Sequence, residues 1–139
     1  MPAALHAILA PDGPLVARIC AQLPGVIAIY AFGSQVHGTA GPDSDLDLAV
    51  LVAGYVEPVA LWDLAGELAA LAGCPVDLLD LRAASTVMQY QVITTGRQLW
   101  STGLAAGLFE CYVLSEKTEL DAARAPLMAD ILASGKVHG

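Results

Sequence analysis

The chain has 139 residues, 56% hydrophobic and 14% charged, with six Lys and Arg against fourteen Asp and Glu for a formal net charge of −8. That length supports one core and is too short for two, and the composition is far from that of a disordered segment. The basic residues Arg18, Arg82, Arg97, Lys117, Arg124 and Lys136 are scattered singly, which argues against the clustered phosphate-neutralising surface that a polynucleotide needs.

No uninterrupted apolar run reaches the roughly 18 residues of a membrane span. The first residues lack a basic start and are broken by Pro2, Pro11 and Gly13, so a cytoplasmic protein without a secretory signal is expected. Cys20, Cys74 and Cys111 are odd in number and unclustered; they are expected as small buried thiols, not as a disulfide framework or a zinc site. The high apolar content predicts that some of it belongs at a partner interface.

In chain order, Leu15 to Leu23 has apolar residues at helical spacing and stops at Pro24-Gly25. Val26 to Phe32 (VIAIYAF) reads as a buried strand that turns abruptly at Gly33-Ser34. Gln35 to Pro42 is polar and glycine-rich, a short helix and then a loop, before a second strand from Ser44 to Ala53. Glu57 to Ala72 predicts a helix that buries Leu61, Leu64, Leu68 and Leu71 and is capped by Gly73.

A third strand, Val76 to Leu81, follows Pro75. Ser85 caps a helix to about Thr95, and Arg97 to Trp100 forms a short edge strand. Leu104 to Ser134 is expected to be helical with breaks, Thr118 and Asp121 forming a capping box and Pro126 a kink, with Leu120, Leu127 and Ile131 on one face. Strands alternating with helices predict an α/β fold, a small sheet flanked by helices, as one unit over residues 1–139 with 104–134 packed on it.

The chemically informative stretch is GSQVHGTAGPDSDLDLAV, in which ten residues separate Gly33-Ser34 from Asp45-Leu46-Asp47. Side chains alternate faces along a strand, so Asp45 and Asp47 project together and Leu46 and Leu48 project away. Carboxylates held this close repel unless a cation neutralises them, and an all-oxygen set suits Mg²⁺. Gly33 allows close backbone approach to a phosphate, and Ser34 adds a hydroxyl at a strand-to-helix turn.

Asp77, in the otherwise apolar run VDLLDL, is the third acid; Asp80 is its rival, but alternation sends the two to opposite faces. Three acids and a Gly-Ser turn describe in-line attack on phosphorus assisted by one or two Mg²⁺ ions, with Asp77 also placed to accept a proton. A DxD alone is more often a solvated turn or helix cap than a metal site. The joint pattern of strand, Gly-Ser, polar loop, DxD strand and acid on a third strand is what carries the reading. His37 is read as a solvated loop histidine, His6 and His138 as terminal, and Trp62, Trp100, Phe32 and Phe109 as core or interface packing.

On Gly33, Ser34, Asp45 and Asp47 the sequence resembles the minimal nucleotidyltransferases of the polymerase-β superfamily. Through VDLLDL and FECYVLSEKTELDAARAPLMADIL it resembles the MntA-type antitoxins among them. The resemblance implies a mixed sheet of the polymerase-β-like kind and transfer of AMP from ATP to a tyrosine of a HEPN-domain ribonuclease toxin, which is bound and silenced. It also implies that Gly33 and Ser34 hold the triphosphate, that Asp45, Asp47 and Asp77 bind Mg²⁺, and that Asp77 helps to deprotonate the acceptor. With so few basic residues, Mg²⁺ is expected to carry most of the charge stabilisation of the leaving pyrophosphate. Two other functions are weighed: an antitoxin that acts by binding alone, and a small-molecule, aminoglycoside-type nucleotidyltransferase, which the lack of a further substrate-binding domain disfavours.

Overall fold

The computed structural model describes residues 7–37 and 44–134, with His37 and 128–134 as backbone only. The expected loop from Gly38 to Pro42, the side chains of His37 and Ile131, and His6 and His138 lie outside the described residues. The elements are helix α1 (Pro14–Gln22), strand β1 (Val26–Phe32), helix α2 (Ser34–His37), strand β2 (Leu46–Val52), helix α3 (Pro58–Ala72), strand β3 (Val76–Asp80), a 3₁₀ turn (Leu81–Ala83), helix α4 (Thr86–Thr95), strand β4 (Arg97–Ser101) and helix α5 (Leu104–Ser134).

The strands form one mixed sheet in the order β3-β2-β1-β4. β1 is antiparallel to both β2 and β4, while β2 and β3 are parallel and joined through α3, as a parallel pair requires a crossover. Both faces of β1 and β2 are covered, which is why these strands read as continuous apolar runs without alternation. One face carries Ile29, Ala31, Leu46, Leu48 and Val50 against Leu15, Val16 and Ile19 of α1 and Leu64 and Leu68 of α3. The other carries Ala28, Tyr30, Ala49 and Leu51 against Val92 of α4 and Ala106, Phe109 and Val113 of α5. Each buried Leu, Val or Ile contributes about 1.5–3 kcal/mol, and these two layers hold the sheet between the helices.

Local chemistry sets the ends of the helices. Glu57 caps α3 by accepting from the N–H groups of Val59 (3.1 Å) and Ala60 (2.9 Å), and Gly73 closes it at φ 73°, in the left-handed region that glycine enters without steric cost. Ser85 caps α4 by accepting from Met88 N–H at 3.2 Å.

Several expectations are corrected. The C-terminal segment is one continuous helix: Thr118 donates its hydroxyl to Leu114 C=O at 2.9 Å within the helix, and Asp121 pairs with Lys117 one turn back at 2.7 Å, so neither starts a new element. Pro126 lies inside α5 without dividing it. Leu71 and Leu127 are exposed. Cys111 is exposed and Cys20 and Cys74 are half-buried, so the thiols are not the buried trio that their chemistry predicts. Of the core or interface packing expected for the aromatics, the core alternative falls for Trp62, which is 80% exposed, whereas Phe109 is buried and Trp100 packs on the α1 side of the sheet.

Candidate active site

The site forms where β1 ends and β2 and β3 begin. In the register, Phe32 lies opposite Asp47 and Asp47 lies opposite Asp77, so the central acid has the β1 turn on one side and the third acid on the other. Leu46, Leu48 and Leu78 face the α1/α3 layer, which turns Asp47 and Asp77 toward the other face, that of α4 and α5. Asp45 lies just before the first residue of β2 rather than inside the strand, and it is exposed, as is Asp77.

Gly33 follows Phe32 at φ 78°. It has two reasons to be glycine. Its backbone is in the left-handed region, and a Cβ there would overlap Asp47 Oδ2 and come within 3.0 Å of Asp47 Cγ. The Asp47 carboxylate thus lies directly against the Gly33 backbone, and Ser34, half-buried, opens α2 immediately after it. The spacing motif becomes a contact: its glycine and its second aspartate touch.

Burial pushes the Asp47 carboxyl above the ordinary carboxylate value, and the negative charges of Asp77 and then Asp45 push it further. Those two repulsions place all three predicted acids in one electrostatic neighbourhood. Among the described residues, no three Asp, Glu, His or Cys side chains are gathered as a ready ligand cage. The donors are nonetheless hard, anionic oxygens that repel one another and are partly open to solvent. That chemistry fits a divalent cation such as Mg²⁺, which keeps waters and shares its coordination with phosphates.

Asp80 does different work on the same strand. It is 6% exposed, and its Oδ2 accepts from Val56 N–H at 2.9 Å, pinning the turn that leads into α3. Its face is the α1/α3 face, so alternation separates it from Asp77 as expected. Sequence reasoning missed Gln35, which is 8% exposed and donates from Nε2 to Ser44 C=O at 3.3 Å. This bond ties α2 to the residue before Asp45, and so links the two halves of the motif. A polar residue one position after Gly-Ser offers only a faint signal for such a role, because its partner is nine residues away.

Residues 16–103 match the family described as Polymerase beta, Nucleotidyltransferase. The chain is 42% identical over 119 residues to the protein adenylyltransferase MntA of Shewanella oneidensis strain MR-1, covering 84% of this chain and 86% of that protein. It is similar to a crystal structure of a toxin-antitoxin complex with AMP-PNP, with TM-score 0.76, 39% identity, and coverage of 85% of this chain and 95% of that one. It is also similar to the structure of a tri-AMPylated Shewanella oneidensis HEPN toxin in complex with MNT antitoxin, with TM-score 0.70, 36% identity, and coverage of 85% and 92%. The family match spans the sheet and Gly33, Ser34, Asp45, Asp47 and Asp77, and the chain belongs to the polymerase-β nucleotidyltransferase family, among its MntA-type protein adenylyltransferases.

Proposed function

We propose that this protein binds a HEPN-domain toxin in the cytoplasm and silences it by transferring AMP from ATP to a tyrosine hydroxyl of the toxin. The whole chain acts as one catalytic unit in this reading. The observation that carries it is the contact between Gly33 and the Asp47 carboxylate, with Asp77 across the parallel strand pair and Asp45 two residues away.

In the reaction the acceptor tyrosine oxygen forms a bond to the α-phosphorus of ATP, and the bond from that phosphorus to the oxygen bridging to the β-phosphate breaks. Pyrophosphate leaves, and the phenolic proton passes to the carboxylate of Asp77, which is exposed and free to return it to solvent. Gly33 and Ser34 hold the triphosphate beside the acids, Gly33 through its backbone and Ser34 through its hydroxyl. Asp45, Asp47 and Asp77 would hold Mg²⁺, which when bound offsets the charge of the acids and phosphates. Gln35 keeps the segment before Asp45 fixed to α2, so the two halves of the site hold their spacing.

The test is to incubate the protein with its HEPN-domain partner, ATP and Mg²⁺ and to weigh the partner by mass spectrometry. AMP on a tyrosine is expected with the wild type and absent with Asp45→Ala/Asp47→Ala. Equal inhibition of an unmodified partner by both proteins would favour antitoxin action by binding alone, and modification of a small cationic molecule instead would favour the aminoglycoside-type reading.

A further inference from the structure

We infer that the outer face of α3 and the outer edge of β3 form the dock for the acceptor protein, which seats an apolar anchor flanked by Lys or Arg beside Trp62. The inference rests on the proposed protein acceptor and says where that acceptor binds.

Trp62 is 80% exposed and Val59, on the same helix, 63%; an indole so exposed has no role in holding the fold. Two clefts open at its base. One of about 180 Å³ is lined by Pro58, Leu61, Trp62, Ala65, Val76, Asp77 and Leu78. The next, of about 270 Å³, continues along Trp62, Ala65, Gly66, Ala69, Pro75 and Val76. Together they make an apolar groove between α3 and β3, an outer strand of the sheet. Asp77 contributes to its wall at the sheet edge while its side chain is directed to the other face, so a chain lying in the groove reaches that acid around the edge of β3.

Charge identifies the occupant. Between Gly54 and Leu81 the sequence contains five acids and no Lys or Arg; Glu67 is paired with Arg18 at 3.1 Å and Asp80 is buried, which leaves Glu57, Asp63 and Asp77 as the exposed acids of α3 and β3. Asp77 lines the groove, and Asp63, next to Trp62, faces the neighbouring cleft toward α1; an apolar groove whose two elements expose only acids favours a partner of the opposite sign and disfavours a second copy of this acidic chain. A tryptophan at the centre of such a patch is the residue type that most often dominates binding.

A rival apolar patch, with Leu108 and Tyr112 exposed above a cleft of about 440 Å³, is lined also by Ile27 and Ala53. Those residues lie at the start of β1 and just after β2, the end of the sheet away from Phe32 and Asp47. A partner held there is directed away from the acids.

The experiment measures, for the full chain, calorimetric affinity for the HEPN-domain partner and the KM and kcat of AMP transfer, in wild type, Trp62→Ala, Trp62→Glu, Asp63→Lys and Leu108→Glu. Trp62→Ala and Trp62→Glu are expected to weaken binding and raise the partner's KM on the order of tenfold or more, with KM for ATP, kcat at saturating partner and the circular-dichroism melt unchanged. Asp63→Lys is expected to weaken binding less and to reduce its salt dependence. Leu108→Glu should behave as wild type.

Unaltered affinity in Trp62→Glu, or the loss appearing in Leu108→Glu instead, overturns the dock. So does a wild-type chain that self-associates and becomes monomeric on Trp62→Glu, because the groove is then filled by a second copy. Affinity is read without turnover, so a partner that binds through Trp62 yet receives no AMP would sink the proposed transfer and leave the dock standing.

Discussion

Asp77 and Asp80 are the same residue type on one five-residue strand, and they differ in almost everything else. Asp77 is exposed, lies across from Asp47, and adds to the negative potential around it. Asp80 is buried on the opposite face and holds the Val56 N–H. An acid on a strand is therefore assigned by the face it occupies: one face leaves Asp77 open beside Asp47, as the proposed cation and triphosphate need, and the other buries Asp80, which holds the Val56 N–H through Oδ2 while its Oδ1 has no hydrogen-bond partner among the described residues. Activity and stability should divide along that line.

The largest effect belongs to the centre of the open side. Asp47→Ala removes the acid that touches Gly33 and faces Asp77, and the rate of AMP transfer should fall by about 10³-fold or more, a loss comparable to removing a principal source of transition-state charge stabilisation. Its melting temperature should stay level or rise, since a half-buried carboxylate repelled by two others is lost. A variant that is inactive because it is unfolded would contradict the division between the two acids. Gly33→Ala should cost activity by a similar mechanism and stability as well, because alanine at φ 78° is strained and its Cβ displaces the Asp47 carboxylate.

Next comes the pair itself. Asp77→Asn should reduce kcat by about 10²–10⁴-fold, the range for loss of a general base, with no change in unfolding free energy. Asp80→Ala should reverse this pattern: kcat stays within a few-fold, while chemical denaturation shows a loss of about 1–3 kcal/mol from the stranded Val56 N–H. Asp80→Asn, which keeps an acceptor oxygen, should lose less. If Asp77→Asn melts early or Asp80→Ala is inactive while folded, the comparison is wrong.

Much of this was legible before any coordinates, because strand alternation is a strict geometric rule. It separated Asp77 from Asp80, and the β1, β3 and α4 spans and the Ser85 and Gly73 caps follow from local signals, whereas the pairing of Asp47 with Asp77 comes from the register of β2 on β3. What stayed hidden depends on distant partners. The bond from Gln35 crosses to Ser44, and the continuity of α5 past Thr118 rests on whether its hydroxyl and Asp121 bond within the helix or start a new one, two outcomes that the same residues support. Trp62 carried a usable signal, since it falls one position, about 100°, after Leu61 on a helix and so off the leucine face, but its aromatic character suggested packing. The polar link between α2 and Asp45 also has a measurable consequence: Gln35→Leu should lower kcat on the order of tenfold while affinity for the HEPN-domain partner is kept.

The smallest effect tests the open side away from its acids, at a group that they do not touch. Tyr30, on the face that also carries Asp47, is 1% exposed; it donates to Glu110 Oε1 at 3.0 Å and accepts from Gln98 Nε2 at 3.4 Å. Its pKa is pushed up to about 12 from the ordinary 10, by burial above all; the Gln98 hydrogen bond opposes the rise, and Glu110 adds to it. The folded chain therefore keeps a proton that the unfolded chain loses between about pH 10 and 12. The stabilising contribution is complete below the unfolded value and is lost as pH rises through that window, by about 2–3 kcal/mol in all. Tyr30→Phe cannot ionise, so it should start about 1 kcal/mol less stable at neutral pH for want of the hydrogen bond and then lose less than wild type across the alkaline range. Parallel denaturation curves from pH 9 to 12 for the two proteins would show that this phenol is not closed off as the structure has it, and that polar groups on the site face are open to water well beyond Asp47 and Asp77.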